Sequence, residues 1–219
     1  MAGKSEIKQS LRGVLNPLVA LLSSIGVTPL GITTTGIALS MIGSFFVAYG
    51  RFFVGGVFLL ASGLCDVLDG SLARRDGRVS TFGAFIDSTG DRVTELFYFG
   101  ALIFYFARRT PPNLFLIVFT LIALGGAYLT SYTRARSEGL GIPCSVGWLE
   151  RPERLALLIL GLLLGMKVLA VVIVVLAILG VITAAQRINH VDRMSRVGGA
   201  ADSEETGTDS EAVDSKSEE

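Results

Sequence analysis

Residues 66–91 read DVLDGSLARRDGRVSTFGAFIDSTGD. Asp66 and Asp69 stand three apart at the end of one apolar run, and Asp87 and Asp91 stand four apart near the start of the next. Spacings of three and four put each pair on one face of a helix. Between them, the linker from Arg75 to Gly83 carries Asp76-Gly77, a turn signal that returns the chain so that the two faces meet. A carboxylate in a hydrocarbon setting costs several kcal/mol unless something pairs it. Four that converge demand a shared positive partner, most simply divalent metal. The stretch therefore predicts a helical hairpin inside a membrane, its two arms presenting carboxylates to each other.

The surroundings agree. Of 219 residues, 51% are hydrophobic, and apolar runs long enough to span about 30 Å of hydrocarbon follow one another. They cover approximately 32–49, 52–73, 82–107, 113–132, 154–166 and 168–188. Ahead of them, residues 5–24 set Lys8, Arg12 and Asn16 among apolar residues at helical spacing, which suggests an amphipathic helix lying in the interface and ended by Gly26 and Pro29. The expected fold class is an all-α membrane protein, with six transmembrane helices and an N-terminal amphipathic interfacial helix. A soluble domain is excluded. Gly55-Gly56, Gly125-Gly126 and the G-x-x-x-G from Gly161 to Gly165 would let helices pack closely within one subunit or across a homodimer.

The formal charge of zero hides a division. From Asp202 onward there are eight acidic residues and one lysine, leaving a body with eighteen basic and eleven acidic residues. The expected division is a membrane domain over 1–198 and an acidic tail over 199–219, too poor in apolar residues to order itself. Within the body, Arg74, Arg75, Arg78, Arg134, Arg136, Arg151, Arg154 and Arg187 gather on one side with the N-terminal lysines, against Arg51, Arg108, Arg109 and Lys167 on the other. That bias puts both termini and the aspartates at the cytoplasmic face of the cell membrane. Cys65 and Cys144 have no metal or redox spacing and read as packing residues. No cleaved signal peptide is evident, and nothing points to nucleic acid.

An all-oxygen set of four carboxylates suits Mg²⁺ or Mn²⁺ rather than zinc, and four are enough for two ions. Such ions can clamp a pyrophosphate and stabilise a nucleotide leaving group. Gly70 and Ala73 follow on the helix of Asp66 and Asp69, where missing side chains would admit a base or ribose, and Gly83 would allow close helix packing beside the site. Arg74 can snorkel toward phosphate. A competing use of buried carboxylates is cation-coupled transport.

The full pattern, D-x2-D-G-x2-A-R-x8-G-x3-D-x3-D with all eight fixed positions filled, resembles the signature of the CDP-alcohol phosphotransferases, membrane enzymes that build phospholipids from CDP-activated lipids. The resemblance implies a metal-dependent phosphatidyltransferase and makes transport remote. It implies that Asp66, Asp69, Asp87 and Asp91 bind metal, and that Asp66, Asp69, Gly70, Ala73, Arg74 and Gly83 hold the CDP-lipid. Asp91 would act as general base on an acceptor hydroxyl, with CMP leaving. One of Thr33, Thr34 and Thr35 would also face the nucleotide, unless these hydroxyls cap the helix. Glu95 continues the Asp87–Asp91 face and is expected to pair with an arginine deeper in the bundle.

The acceptor is read elsewhere. SYTRARSEGLG, GWLERPERL and AAQRINH bring Arg134, Arg136, Arg151, Arg154 and Arg187 to the cytoplasmic mouth, with Glu150 and Glu153 available to orient Arg151 and Arg154. Several guanidinium groups together suit an acceptor that is already a phosphate monoester. These pieces look like those of prokaryotic phosphatidylinositol phosphate synthases, which join CDP-diacylglycerol to inositol 1-phosphate and are expected to work as homodimers. That likeness makes Arg134, Arg136, Arg154 and Arg187 the acceptor-phosphate residues and leaves Arg151 as a helix-end or lipid-phosphate contact. Arg134 stands where that subgroup often has lysine. Glycerol 3-phosphate as acceptor, and an archaeal-type isoprenoid donor, are the alternatives.

Overall fold

The computed structural model describes the backbone of residues 16–214 and side chains through residue 196. The described chain is helical throughout: α1 (16–24), α2 (Pro29–Ala48), α3 (Phe52–Arg75), α4 (Thr81–Ala107), α5 (Leu114–Glu138), α6 (Arg151–Leu164) and α7 (Met166–Asp214). Four of them, α2, α3, α5 and the Met166–Arg196 part of α7, are long and apolar enough to cross a membrane. α4 has the length, at 27 residues, but Asp87, Asp91, Arg92 and Glu95 lower the hydropathy of its first half. α6 has only 14 residues. Of the expected interfacial helix, residues 5–15 lie outside the described residues. The remainder is helical, with Val19 buried against Ile32 and Leu72 and Ser23 Oγ donating to Asp76 Oδ1 at 2.7 Å.

Helix boundaries follow local chemistry. Thr28 caps α2 by accepting from the Gly31 amide, with Pro29 in the first turn. Ser80 does the same for α4 through the Gly83 amide at 3.0 Å, and Asn113 for α5. The turn foreseen at Asp76-Gly77 is present, with Gly77 at a φ of 64° that L-residues seldom adopt. The acidic tail, expected to lack order from residue 199, continues the α7 backbone helix to Asp214, and its side chains lie outside the described residues.

α2 packs mainly on α3 and α4, α5 on α7, and α6 bridges α3 and α7. The core runs through the bundle from Val47 and Leu59 to Tyr98, Phe99, Leu102, Leu162 and Ile173. Large apolar side chains such as Phe45, Phe53, Leu121 and Val171 point outward, the arrangement of a bundle whose solvent is lipid. Of the glycines flagged from sequence, Gly126 meets Gly180 backbone to backbone, where an added Cβ would sit 3.1 Å from Gly180 Cα. Gly125 touches nothing, and Gly165, at a φ of 91°, separates α6 from α7.

Candidate active site

α3 and α4 are joined by the short turn at Asp76-Gly77 and both pack on α2, which brings the C-terminal turns of α3 near the N-terminal turns of α4. Ligand oxygens of Asp66, Asp87 and Asp91 lie within 4.8 Å of one another. Asp69 and Asp91 are buried, and Asp66 and Asp87 half-buried. Asp69 is held from the neighbouring helix: Thr33 Oγ1 donates to its Oδ2 at 2.5 Å. Gly36 and Gly90 let α2 close over the cleft, since an added Cβ would stand 3.0 Å from Cys65 Cβ and 2.7 Å from Ile37 Cδ1 respectively. Thr33, and not Thr34 or Thr35, faces the cleft; the other two hydroxyls donate to the Gly31 carbonyl.

Arg151 enters this cluster from α6. Its Nη1 donates to Asp66 Oδ2 at 2.9 Å and its Nη2 pairs with Asp91 Oδ1. Arg151 is the first residue of α6, and its partners, which belong to α3 and α4, leave no sign in the sequence around it. The local clue is Pro152, which starts α6 at this level and aims residue 151 back into the bundle. Arg92 adds a second cation, 3.3 Å from Asp91 Oδ2. Around the guanidinium the cleft keeps room for about 20 Å³, enough for an ion or one water and far too little for a nucleotide. The donor set fits divalent metal: hard oxygens only, three within reach of one point and a fourth at the margin. Arg151 stands where that positive charge would sit.

The other proposed donor residues are more dispersed. Arg74 is exposed, with Nη2 3.4 Å from Ser71 Oγ, and its guanidinium lies over Gly70, 3.3 Å from where a Cβ would be. Ala73 is half-buried. Gly83 serves the α4 cap rather than close helix packing, because its amide bonds Ser80 and a Cβ there would meet only Ser80 Oγ at 3.0 Å.

Three of the four arginines expected to form the acceptor pocket are already engaged. Arg154 donates through Nε and Nη2 to Glu95 Oε1 at 3.1 and 2.9 Å, and through Nη1 to the Leu149 carbonyl. Glu95 thus finds the deeper arginine expected of it, and it, rather than Glu150 or Glu153, orients Arg154. Arg187 donates to the carbonyls of Val146 and Thr130, clasping the 139–150 loop that Thr183 Oγ1 also holds through the Leu149 amide. Arg134 pairs with Glu138 at the surface, Nε to Oε1 at 2.9 Å, and Arg136 is exposed.

The sequence model of the CDP-alcohol phosphatidyltransferase family matches residues 27–185, almost the whole helical body. An archaetidylinositol phosphate synthase of Methanothermobacter thermautotrophicus is 39% identical over 164 residues, which are 73% of this chain and 80% of that protein. The crystal structure of Mycobacterium tuberculosis phosphatidylinositol phosphate synthase with CDP-DAG bound aligns with a TM-score of 0.74 at 32% identity, covering 80% of this chain and 92% of that one. A second structure of that enzyme, in complex with manganese and citrate, aligns at 0.73 and 33% identity, covering 80% and 87%. The chain belongs to the CDP-alcohol phosphatidyltransferase family. It is a multi-pass membrane enzyme of phospholipid biosynthesis.

Proposed function

We propose that the enzyme transfers a phosphatidyl group from CDP-diacylglycerol to a hydroxyl of inositol 1-phosphate and releases CMP. The observation that carries this reading is the convergence of Asp66, Asp87 and Asp91 on one point in a chain of this family. The relatives named for inositol phosphate products support the acceptor.

Asp66, Asp69, Asp87 and Asp91 would hold the metal, Mg²⁺ or Mn²⁺ and two ions by the number of carboxylates. When bound, the metal supplies charge neutralisation on the diphosphate and on departing CMP. The protein's own residues do the rest. Thr33 orients Asp69. Gly70 and Ala73 would leave backbone open for the cytidine once Arg74, which lies over Gly70, turns from Ser71 toward phosphate. Asp91 takes the proton from the acceptor hydroxyl as that oxygen bonds to the lipid-bearing phosphorus, and the bond from this phosphorus to the CMP oxygen breaks. For Asp91 to act so, Arg151 must leave it, and the diphosphate is the acceptor its donors would meet next. Arg134 and Arg136 at the rim, with Arg154 and Arg187 beneath, would receive the acceptor's phosphate. Arg134 and Arg154 both lie within electrostatic reach of Arg187.

The same reading takes α4 and α6 as spans besides the four apolar ones, a domain at 1–198 carrying an acidic appendage at 199–219, a cytoplasmic site with both termini, and a homodimer. At about 1.5 Å per residue, α4 is long enough, its charged half being shielded by α2 and α6. Release of CMP from CDP-diacylglycerol in the presence of Mg²⁺ tests the reaction, with inositol 1-phosphate, glycerol 3-phosphate and plain inositol compared. Release with glycerol 3-phosphate alone removes the inositol reading. An isoprenoid donor is favoured by one observation, the 39% identity to an archaeal archaetidyl enzyme, and CDP-archaeol in the same assay decides it.

A further inference from the structure

The end of the bundle remote from the carboxylates has an opposite character. There α2 stops, α3 starts, α4 stops, α5 starts, and α6 meets α7. The connecting residues 48–53, 105–115 and 163–168 contain Arg51, Arg108, Arg109 and Lys167 and no acidic residue. Apart from Glu95, at the middle of α4, the carboxylates among the described body residues sit toward the other end. Arg108 and Arg109 accordingly make no ion pair among the described residues.

These two arginines are nevertheless placed. The Arg108 guanidinium lies over the Tyr49 ring, 5.3 Å from its centroid, and over Phe104 at 5.4 Å. Arg109 lies over Tyr105 at 5.7 Å and donates Nη1 to the Tyr105 hydroxyl at 2.9 Å. The rings are themselves braced, Tyr105 edge-on against Phe52 and Tyr49 against Phe45, both at 4.8 Å. Ala48, Tyr49, Tyr105, Arg108 and Arg109 line a hollow of about 210 Å³. Stacking occupies the faces of a guanidinium and leaves most of its in-plane N–H donors unspent. Two such groups on one hollow, with the Tyr105 hydroxyl as acceptor for one N–H and no carboxylate partner among the described residues, call for an anion with several oxygens. At the membrane boundary, where tyrosine rings and arginines collect, the abundant anion is a lipid phosphate.

We propose that the hollow formed by Tyr49, Tyr105, Arg108 and Arg109 is a binding site for the phosphate of an anionic phospholipid in the leaflet opposite the active site. It is separate from the donor and acceptor sites and does not depend on which acceptor the enzyme uses. A zwitterionic lipid offers the same phosphate but brings a cation toward two arginines, so the site discriminates by head-group charge.

The test is native mass spectrometry of the full chain in neutral detergent, titrated in parallel with phosphatidylglycerol, phosphatidylcholine and water-soluble glycerol phosphate. Thermal melting in each lipid is followed alongside. Phosphatidylglycerol is expected to be retained about fivefold better than phosphatidylcholine. The double variant R108Q/R109Q should lose that preference while melting unchanged in phosphatidylcholine. The variant R108K/R109K, which keeps charge but not the planar stack, should retain an intermediate preference. Equal retention of the two lipids by the wild type overturns the proposal, as does an undiminished preference in R108Q/R109Q. Glycerol phosphate competing as well as the lipid would overturn the lipid assignment.

Discussion

The aspartates on α3 and α4 and the arginines from Arg134 to Arg187 both gather at one end of the bundle, yet they differ in how far they are committed. Asp66, Asp87 and Asp91 point at one common place, where Arg151 pairs with Asp66 and Asp91 and Arg92 adds a second cation at Asp91. Of the four arginines proposed for the acceptor, Arg136 is exposed and the other three point at different partners: Arg134 at Glu138, Arg154 at Glu95 and the Leu149 carbonyl, and Arg187 at the carbonyls of Thr130 and Val146. A cluster of like charges without enough counter-charge is a site that needs a ligand. A set of arginines mostly provided with acceptors is a scaffold that a ligand must recruit from. Catalysis should therefore fail abruptly when the aspartates are changed and erode by degrees when the arginines are.

The largest effect is expected at Asp91. Removing a general base costs roughly 10²–10⁴ in rate, so Asp91→Asn should reduce CMP release about a thousandfold while CDP-lipid affinity, measured by displacement of bound nucleotide, is largely kept. Asp66→Asn should weaken both. Equal loss of affinity in the two variants would take the base away from Asp91 and make all four carboxylates equivalent.

Arg154→Ala follows. With side-chain exposures of 5% for Arg154 and 11% for Glu95, the pair is buried, and deleting one partner strands the other charge at a cost of about 3–5 kcal/mol. Glu95 Oε2 has no hydrogen-bond partner among the described residues, so the pair is held through Oε1 alone. Detergent unfolding should show the loss, and adding Glu95→Gln should restore much of it. An acceptor KM that rises in the double variant, with stability recovered, would show that Arg154 also serves the substrate. An unchanged KM would leave it structural.

These contrasts explain which parts of the site are legible in the sequence. Three- and four-residue spacings on continuous helices transmit geometry directly, so residue spacing alone brings Asp66, Asp69, Asp87 and Asp91 together, and a dipeptide alone marks the Asp76-Gly77 turn. Arg151 has no such signal. Its partners lie 85 and 60 positions away in sequence on α3 and α4, and pairing over such distances is decided by how α6 docks on α3. Arg187 escapes sequence reading for a related reason: its role depends on the irregular path of 139–150, where Gly147 has a φ of 128° and no periodicity exists to read. The six-span expectation counts 82–107 and 154–166 as spans, and these are the two whose helices fall outside the four apolar ones, α4 through its charges and α6 through its 14 residues.

A smaller effect is expected where Arg151 substitutes for metal. If its guanidinium balances the aspartates, Arg151→Gln should let divalent ions bind without displacing it. The Mn²⁺ dissociation constant, read by titration without substrates, should fall roughly fivefold, and the metal-free protein should melt at a lower temperature. Unaltered Mn²⁺ affinity would mean that the ions and Arg151 do not contend for the same charge.

The smallest effect should come from Arg134, and it is the one that separates recruitment from mere surface pairing. Its bond to Glu138 is half exposed at both partners, and exposed pairs of this kind contribute little to stability, so Arg134 is the acceptor arginine most easily drawn away. Arg134→Lys, which restores the residue common in the subgroup that the sequence resembles, should leave the acceptor KM within about twofold, because a single phosphate contact needs charge more than a planar fork. Arg134→Gln should raise that KM several-fold with kcat and the CDP-lipid KM unchanged. If lysine and glutamine behave alike, Arg134 belongs to the helix surface, and acceptor binding rests on guanidinium groups that must first release Glu95 or the 139–150 loop.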